Sequence, residues 1–513
     1  MFIRKKKNRS GSTSVVVVDK SKGQFRELTT IGVSSDEKTI YELCHQGKKW
    51  IASRKGERDM FALCEQEREE KQVTDYLLSN IENILLNGTQ LILNHVFKLV
   101  GFDAIDDDIL KHLVIARLCQ PSSKAGTVDY LKSYFDEDVQ LHRIYRYLDR
   151  LYNTLQEQIQ QISISHTKKI LGGKIGLVFY DVTTLYFETD YGDDFRLTGF
   201  SKDGKHSQPQ VVLGLLVSTG GYPLSYSLFP GSQYEGRTMI PIVEDFVQRF
   251  DLSDFVVVAD SGLMNKTNIS LLESAGYKYI IGARIKTETE EVKQWILSLE
   301  KKDGVFYETK KGASRLIAGY SEKRAKKDKY NREKGVKRLK TAYKSGKVTK
   351  ENINKRGYNK FLEISDDVQV IINHQKINDD QKWDGLKGYL TNTELPAKEV
   401  YEQYSQLWVI ERAYRVTKGT LQLRPMFHFT QKRMEAHVCI CFVAYKIYKE
   451  MERILKASGI NMSVDKVLDI AKTIVTLKIK LPACGETLTK TLLITPKHKS
   501  ISKLFEPDFW RTL

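Results

Sequence analysis

Three polar side chains recur at intervals of seven residues in one predicted helix. They are Tyr404, Glu411 and Lys418, separated by 411 − 404 = 7 and 418 − 411 = 7 positions. Seven residues are close to two helical turns, so we expect the three side chains to share one face. A carboxylate flanked by a phenol and an ammonium fits a site for a divalent metal and a phosphate backbone, since the acid binds the metal and the other two bind phosphate oxygens. From this helix alone, a solvated charged face opposite an apolar side around Trp408 explains the pattern equally well.

Two upstream aspartates favour the site. Asp181 and Asp260 directly follow apolar stretches, Ile175–Tyr180 and Phe255–Ala259, whose length and composition predict buried strands. Functional groups collect at the carboxyl ends of strands in open α/β sheets. Together with Glu411, these aspartates supply oxygen ligands for two hard cations such as Mg²⁺. Two such ions about 4 Å apart activate water or a 3′-hydroxyl and stabilise a leaving oxygen, which predicts metal-assisted phosphoryl transfer on nucleic acid.

Other acidic residues of this region are interpreted as bystanders. Those in the polar loop after the first strand are predicted to be solvated: Glu188, Asp190, Asp193 and Asp194. Glu235 and Glu244 are predicted to be surface or capping groups, although Glu235 follows Phe229-Pro-Gly231 in a polar loop.

The elements that must position the acidic residues form a mixed α/β pattern. The predicted strands are Ile175–Tyr180, Gln208–Ser218, Pro223–Phe229, Phe255–Ala259 and Tyr277–Gly282, with helices at Thr238–Phe250 and Asn265–Ala275. A hairpin-linked meander followed by alternating helices and strands predicts one mixed sheet. Upstream, the periodicity predicts helices at Gln72–Leu86, Asp108–Cys119, Ser123–Phe135 and Leu141–Ile162. They form either a helix-turn-helix DNA reader or a plain helical bundle.

The composition points to a polyanionic partner. The 513 residues carry a formal net charge of +17, and nucleic acid explains this excess better than a membrane does, because no basic amphipathic helix or lipidation motif is present. No stretch of 18 apolar residues predicts a membrane span, and the basic start lacks a secretory apolar segment. The six cysteines are scattered, which favours a reducing compartment. His437, Cys439 and Cys441 lack zinc-site spacing and are predicted to be core residues of a helix.

Most of the charge excess lies in residues 321–360. This segment holds 16 Lys and Arg against four Asp and Glu, a net of 16 − 4 = +12. A run this basic is either a solvated helix or arm, or the main electrostatic contact with DNA. The predicted DNA-binding residues within it are Lys323, Arg324, Lys326, Lys327, Lys329 and Arg332.

At this point the chain resembles the DDE transposases of bacterial insertion sequences, which have a ribonuclease H-like core. The resemblance runs from about Ile175 to Tyr448. It rests on Tyr180-Asp181-Val-Thr-Thr184, Gly199-Phe-Ser-Lys-Asp-Gly204, Pro209-Gln-Val-Val-Leu-Gly-Leu215, Phe229-Pro-Gly231 with Glu235, Ala259-Asp260-Ser-Gly262 and the Glu411 helix. The resemblance implies that Asp181, Asp260 and Glu411 are the catalytic metal ligands and that Tyr404 and Lys418 bind DNA.

The family helix reads Tyr, two residues, Arg, three residues, Glu, six residues, Lys. Leu407 stands here where that arginine is expected, and Arg412 or Arg415 from the next turn is predicted to replace its phosphate contact. The family also places a β-rich insertion between the second aspartate and the glutamate. Here 411 − 260 = 151 residues separate them, which is more than the core alone needs.

The resemblance implies a domain order. We predict a small β-containing segment at 1–60, a helical, DNA-binding domain at 61–170, the first part of a ribonuclease H-like α/β core at 171–285, a β-rich basic insertion at 286–380, the second part of the core at 381–455 and a helical tail at 456–513. The predicted cofactor is a pair of Mg²⁺ ions, which Mn²⁺ can replace.

The predicted function is cleavage at the ends of a mobile element and strand transfer into target DNA. Double-stranded DNA with terminal inverted repeats, target DNA and a second copy of the chain in a homodimer are the implied partners, in the cytoplasm at the nucleoid and not at a membrane. A structure-specific nuclease with the same core would lack strand joining. A non-catalytic, domesticated DNA-binding protein would be expected to lack at least one carboxylate, and all three are present.

Overall fold

The computed structural model describes most of the chain. The described residues are 1–21, 23–55, 60–201, 204–250, 252, 254–263, 265–349, 353–354, 357–364, 370–481, 484–505 and 507–510, with the side chains of 60–67, 507 and 508 set aside. Among the residues that the structure describes, no helix has the length and apolar character that a membrane span needs.

The elements up to residue 170 are mainly helical. They are β1 Phe2–Lys7, β2 Thr13–Asp19, β3 Arg26–Ser34, α1 Glu37–Lys55, α2 Met60–Ser79, β4 Ile81–Leu85, α3 Gly88–Val100, α4 Asp108–Cys119, α5 Lys124–Tyr130, α6 Leu141–Arg150 and α7 Gln156–Ile170. Strands and helices then alternate: β5 Leu177–Tyr186, β6 Gln210–Ser218, β7 Pro223–Pro230, α8 Met239–Phe250, β8 Val256–Ala259, α9 Lys266–Ser274, β9 Lys278–Ala283 and α10 Glu290–Ser298.

The remaining elements run to the C-terminus. They are β10 Phe306–Lys311, β11 Ser314–Tyr320, α11 Glu322–Lys344, β12 Leu362–Ile364, β13 Val370–Ile372, α12 His374–Gln381, β14 Leu386–Thr391, α13 Ala397–Ser405, α14 Trp408–Arg415, α15 Gln431–Ala457, α16 Val464–Ala471, β15 Val475–Lys480, β16 Thr487–Leu492 and α17 Pro496–Ile501. The helix predicted at Asp108–Cys119 and the five strands predicted between Ile175 and Gly282 are confirmed, with shifted ends.

The chain divides into two compact units. The first consists of Met1–Ile84 and Thr476–Leu492, and the second of Leu85–Val475 with the segment that begins at Leu493. In the first unit, β1, β2 and β3 form an antiparallel sheet, and β16, β15 and β4 form another. The predicted helix Gln72–Leu86 is therefore wrong at its end, since Ile81–Leu85 is a strand next to β15, a partner distant in sequence.

An eight-stranded mixed sheet organises the second unit. Its strand order is β10-β11-β14-β9-β8-β5-β6-β7. Strand β8 is parallel to both of its neighbours, β5 and β9, and all other neighbouring pairs are antiparallel. The predicted mixed α/β sheet is confirmed. Residues 286–380, predicted to be β-rich, contribute β10 and β11 to this same sheet and also contain α10, α11 and α12.

Alternate residues of the central strands enter two different cores. Phe179, Leu185 and Val258 pack in a cluster with the buried side chains of α15, whereas Val178, Tyr180 and Val257 pack with those of α8. This follows from the two-residue period of a strand. Helix α15 is buried on nearly all sides, and His437, Cys439 and Cys441 are core residues of it, as predicted. The central strands are thus covered on both faces, whereas the edge strand β10 has exposed residues such as Glu308.

Candidate active site

Asp181 and Asp260 lie side by side at two neighbouring strands. Strands β5 and β8 are parallel, and their register pairs Tyr180 with Ala259. Asp181 and Asp260 are the residues that directly follow this pair. Asp181 is partly exposed and Asp260 is exposed, although the strand residues before them are buried. The two carboxylates therefore stand side by side where the parallel pairing of β5 with β8 ends, which is the carboxyl end of β8 but the middle of β5.

The sequence suggested that the first strand ends at Tyr180, but in the structure this strand continues. Strand β5 continues to Tyr186 because its antiparallel pairing with β6 continues to the pair Tyr186–Gln210, while its parallel pairing with β8 stops at Tyr180. Asp181 thus stands where β5 loses one neighbour and keeps the other. Strand β8 gives β5 no partner beyond Tyr180, although Val182–Leu185 of β5 remain buried.

Tyr404 holds the second aspartate. Its phenol oxygen donates a hydrogen bond of 2.9 Å to Oδ1 of Asp260. The Tyr404 side chain is 4% exposed, and its ring meets that of Tyr389 edge to face with 4.9 Å between centroids. Burial, followed by the charge of Asp260, raises the pKa of Tyr404 well above its usual value, so the phenol remains a donor. The structure thus gives Tyr404 a carboxylate partner, where the sequence suggested a DNA phosphate.

Tyr404, Glu411 and Lys418 do not form a stripe on one helix. Helix α13 ends at Ser405, α14 runs from Trp408 to Arg415, and Lys418 lies in a widened turn, Val416–Thr420. Backbone bonds from Leu407 to Tyr404 and from Val409 to Gln406 tighten the junction to three-residue spacing. The expectation of one unbroken α-helix is therefore wrong, because the backbone tightens at Gln406 and Leu407 and widens at Val416–Thr420. Tyr404 points into the protein, whereas Glu411 is exposed.

Tyr414 fastens the helix of Glu411 to the strand of Asp181. Its hydroxyl donates to the carbonyl oxygen of Asp181 at 2.7 Å and lies 3.2 Å from that of Leu213 on β6. Burial raises the pKa of Tyr414 well above its usual value, and the Asp181 charge adds to this effect. Sequence reasoning missed this residue; the signal was an aromatic side chain three positions after Glu411, on the adjoining helical face.

Lys387 is a second residue that sequence reasoning missed. It lies on β14, and its ammonium stands 4.4 Å from the centre of the Tyr404 ring. Burial lowers the pKa of Lys387, as does the charge of Arg324, while the charges of Asp260 and Glu411 act in the opposite direction. One lysine therefore experiences both carboxylates, which places Asp260 and Glu411 around the same region. The signal was a lysine inside the otherwise apolar strand Leu386–Thr391.

The neighbouring acids separate into two groups. Glu188, Asp190, Asp193 and Asp194 are all exposed, as predicted. Asp193 is held by Arg196, whose Nε donates to Oδ2 at 2.8 Å. Glu235 differs: its charge raises the pKa of both Tyr180 and Tyr414, the same two phenols that Asp181 affects. It begins a short turn, Glu235–Arg237, and is a fourth carboxylate near the first aspartate.

Arg412 and Arg415, the two residues predicted to replace the missing family arginine, differ in their exposure to solvent. Leu407, where the family arginine is expected, is 8% exposed at the bend between α13 and α14, a position that suits an apolar side chain. Arg412 forms an ion pair with Glu452 of α15. Arg415 is exposed. Of the two arginines predicted to replace the family's phosphate contact, Arg415 is the one that faces solvent fully.

The basic segment 321–360 begins with the helix α11. Lys323, Arg324, Lys326, Lys327 and Lys329 are exposed on it. Arg324 also influences the pKa of Lys387 and of Tyr404, which places the first turn of α11 beside the site. Arg332 is 6% exposed, and both its terminal nitrogens bind the carboxylate of Asp384, one of them at 2.6 Å. This pairing corrects the expectation that Arg332 contacts DNA, because its guanidinium is buried against another part of the chain.

The donor chemistry fits a hard divalent cation. Asp181, Asp260 and Glu411 supply only carboxylate oxygens, which are the ligands that Mg²⁺ prefers. Within the described ranges, no group of three or more His, Cys, Asp or Glu side chains stands close enough to hold a metal ion. The two neighbouring aspartates are thus positioned by the sheet, whereas Glu411 is carried separately by α14.

Comparison with known proteins identifies a family for this chain. Residues 172–447 match the family model described as Transposase DDE domain. This match covers more than half of the chain and includes all three carboxylates. The chain therefore belongs to the family of transposase DDE domains, the DNA-binding proteins of mobile elements that carry out DNA transposition and recombination.

Two solved structures show weak similarity. One is the piggyBac transposase synaptic complex with hairpin DNA, with 10% identity, coverage of 78% of this chain and 77% of that chain, and a TM-score of 0.38. The other is the Mos1 transposase paired-end complex with left transposon end, with 11% identity, coverage of 34% and 58%, and a TM-score of 0.15. None of the curated proteins matches the chain.

Proposed function

We propose that this protein is an insertion-sequence transposase that cleaves DNA at the ends of its element and joins the freed 3′-hydroxyls to target DNA. Asp181, Asp260 and Glu411 are its proposed metal ligands. The observation that carries this proposal is the register of β5 and β8, which puts two carboxylates side by side where the parallel pairing of the two strands ends. Family membership supports the reaction class.

The proposed cofactor is a pair of Mg²⁺ ions, with Mn²⁺ as a substitute; when bound, it supplies Lewis acidity and a nucleophile at neutral pH. The chain's own groups prepare the ligands. Tyr404 fixes one oxygen of Asp260 and leaves the other oxygen available. Tyr414 ties α14 to the Asp181 backbone, and Lys387 offsets the negative charge that Asp260 and Glu411 create before a cation binds.

The proposed substrate is double-stranded DNA, first the terminal inverted repeats and then the target. The exposed cations of α11, together with Lys418 and Arg415, are the proposed phosphate contacts. A homodimer on DNA that pairs two ends, an insertion-sequence origin and a cytoplasmic, nucleoid-associated location belong to the same proposal. So does the domain division given above, with a ribonuclease H-like core in two parts around residues 286–380.

Three isosteric substitutions test the metal site. Asp181→Asn, Asp260→Asn and Glu411→Gln keep the side-chain shape but remove ligand charge. Each is expected to abolish Mg²⁺-dependent cleavage of end-labelled terminal-repeat DNA while binding of that DNA persists. Asp190→Asn is the matched control, because Asp190 is an exposed acid of the neighbouring loop and is expected to leave cleavage unchanged.

The products distinguish the related functions. Cleavage together with joining to a target plasmid supports a transposase. Cleavage without any joined product, under conditions where both ends are present, indicates a structure-specific nuclease. DNA binding with no cleavage in Mg²⁺ or Mn²⁺ indicates a non-catalytic DNA-binding protein. Near wild-type cleavage by Asp260→Asn would show that the ligand assignment is wrong.

A further inference from the structure

A polar cavity of the second unit has none of the three carboxylates in its lining. Its volume is about 250 Å³, and it lies between the start of α5 and the loop that leads into α15. The side chains that give it its character are Arg117, Lys124, His428, His437 and Phe427. None of the described residues that line it is an aspartate or a glutamate.

Two of these side chains are buried cations. Arg117 is 7% exposed and Lys124 is 6% exposed. The guanidinium of Arg117 donates to the carbonyl oxygen of Ser122 at 3.2 Å, and the ammonium of Lys124 lies 3.5 Å from Nδ1 of His437. A carbonyl and an imidazole are both neutral groups, so neither interaction compensates a full positive charge. Burying an ion without an opposite charge costs several kcal/mol, so such a group releases its proton more easily unless a ligand supplies the opposite charge.

Two histidines complete the lining. The rings of His428 and His437 lie 5.1 Å apart, and His437 is buried. Burial lowers the pKa of Lys124 to about 7 and that of His428 to about 3, and the charges that act on His428 are all positive: Lys124, Arg117 and Arg433. Arg433 is itself neutralised by Asp149, with Nε 3.2 Å from the carboxylate. The cavity thus has more hydrogen-bond donors than acceptors, and the hydrogen bonds that these donors form with an anion are stronger than those with neutral groups.

We propose that this cavity binds a phosphate group. Lys124 and Arg117 would contact its oxygens, and His428 would donate a further hydrogen bond. A cavity of this size holds several water molecules at about 30 Å³ each, so it has room for a tetrahedral oxyanion. Six nitrogen-bearing side chains line this volume, including the cations Arg117, Lys124 and Arg424, and none of the described lining residues is a carboxylate. A phosphate satisfies such a set and a cation does not.

The rim of the cavity favours a nucleotide phosphate. Phe427 lines the cavity and is 67% exposed, and Phe429 is 63% exposed two residues later. Exposed aromatic rings beside a phosphate site offer a stacking surface for a base. The DNA source of the phosphate rests on the proposed function, whereas the anion site itself does not, since the cavity contains none of Asp181, Asp260 and Glu411.

The test compares Lys124→Met with Lys132→Met in the full-length protein. Lys132 is an exposed lysine on the turn that follows α5 and is the matched control. Thermal unfolding is followed in chloride and in inorganic phosphate at equal ionic strength. We expect phosphate to raise the unfolding temperature of the wild type and of Lys132→Met, and this increase to be absent in Lys124→Met. In chloride below pH 7, where Lys124 is protonated, Lys124→Met is expected to be more stable than the wild type, because a buried charge has been removed.

A second measurement identifies the source of the phosphate. The slope of log DNA affinity against log salt is expected to decrease by about 0.9 in Lys124→Met, which corresponds to one phosphate, and to stay unchanged in Lys132→Met. If the phosphate effect disappears while the slope is unchanged, the cavity is assigned to free phosphate or a mononucleotide. If Lys124→Met does not fold, His428→Gln replaces it.

One outcome would refute the phosphate site, and a different outcome would refute only the proposed function. A wild type whose unfolding temperature responds equally to phosphate and chloride, together with an unchanged slope in both Lys124→Met and His428→Gln, overturns the phosphate site. Asp260→Asn is expected to retain the full phosphate effect. A protein that binds phosphate here but never cleaves DNA would leave this site standing and refute the proposed function alone.

Discussion

The hydroxyl of Tyr404, on α13, donates a 2.9 Å hydrogen bond to Oδ1 of Asp260, the residue that follows β8. Since Tyr404 is buried, this bond orients the carboxylate without exposing the phenol to DNA. The tyrosine is thus part of the support for a proposed metal ligand. Its removal should affect the binding of the cation and not the binding of the DNA.

The first prediction concerns Tyr404→Phe. This change removes a hydrogen bond to a charged group, which contributes about 1.5–3 kcal/mol. If that amount is lost in the transition state, cleavage slows about tenfold to a hundredfold. We expect the Mg²⁺ concentration for half-maximal cleavage to rise and DNA affinity to stay unchanged. Titration of Mg²⁺ in a cleavage assay, with binding measured separately, checks this; weaker DNA binding with an unaltered Mg²⁺ dependence would favour a direct phosphate contact.

The second prediction concerns Gly282→Ala. A Cβ at Gly282 would lie 2.5 Å from the Tyr404 hydroxyl and 3.1 Å from the Ser261 nitrogen, so the phenol must move. We expect cleavage to fall by an amount similar to that in Tyr404→Phe. The double variant Gly282→Ala with Tyr404→Phe should be less impaired than the sum of the two effects, because the clashing oxygen is absent.

Gly176→Ala is the control for that experiment. An added Cβ at Gly176 has no atom within 4 Å, so this variant is expected to cleave like the wild type. Strictly additive effects of Gly282→Ala and Tyr404→Phe on cleavage would mean that the glycine acts through the backbone of Ser261 and not through the tyrosine.

The strands and the two aspartates were predictable because their signals are local. Runs such as Phe255–Ala259 have the length and composition of buried strands, and an aspartate at the end of each run is visible without a structure. The continuation of β5 to Tyr186 was not predictable, because it depends on pairing with β6, a partner distant in sequence. The strand Ile81–Leu85 was missed for the same reason.

The single helix predicted to carry Tyr404, Glu411 and Lys418 is an example of a local pattern that the structure does not follow. A seven-residue period predicts one face only if the helix is unbroken, and no glycine or proline marks the junction at Leu407. The groups around this junction are held by tertiary packing: Leu407 and Tyr404 are buried, while Tyr414 is fixed to the Asp181 carbonyl. Lys387 is noticeable in the sequence as a lysine within an apolar strand, but its relation to Asp260 and Glu411 was not predictable, because β14 enters the sheet far along the chain.

The third prediction concerns the exposed cations of α11. Neutralising Lys323, Arg324, Lys326, Lys327 and Lys329 to Gln should weaken DNA binding and reduce the slope of log affinity against log salt by about 0.9 for each phosphate that is no longer neutralised. The total should be below five phosphates, because Lys326 lies 2.8 Å from Glu322 and Arg324 lies 3.5 Å from Asp328. An unchanged slope would assign this helix face to solvent.

Arg332→Gln provides the contrast on the same helix. Arg332 is buried against Asp384, so its removal leaves an uncompensated carboxylate and should reduce the free energy of unfolding by about 3–5 kcal/mol. The salt slope of the folded variant is expected to equal that of the wild type. A reduced slope with normal stability would instead place Arg332 at the DNA.

The last prediction concerns stability in acid. Burial and the nearby cations lower the pKa of His428 to about 3, against 6.5 for an unhindered histidine. Between these two values the unfolded chain binds a proton that the folded chain does not bind. The contribution of His428 to stability is therefore fully present above about pH 6.5 and falls as the pH decreases, by up to about 1.4 kcal/mol per pH unit. His428→Gln removes this contribution, so its unfolding free energy should depend less steeply on pH between 4.5 and 6.5.

Urea unfolding at several pH values measures that difference. His142→Gln is the control, because His142 is exposed on α6, and it should follow the wild type. Inorganic phosphate adds a second expectation: an anion in the cavity stabilises protonated His428 and should flatten the wild-type dependence while leaving that of His428→Gln unchanged. Parallel pH curves for the wild type and His428→Gln would show that His428 is protonated equally in the folded and unfolded chains. In that case the cavity would already contain a compensating negative charge, and an added phosphate would find its positive groups occupied.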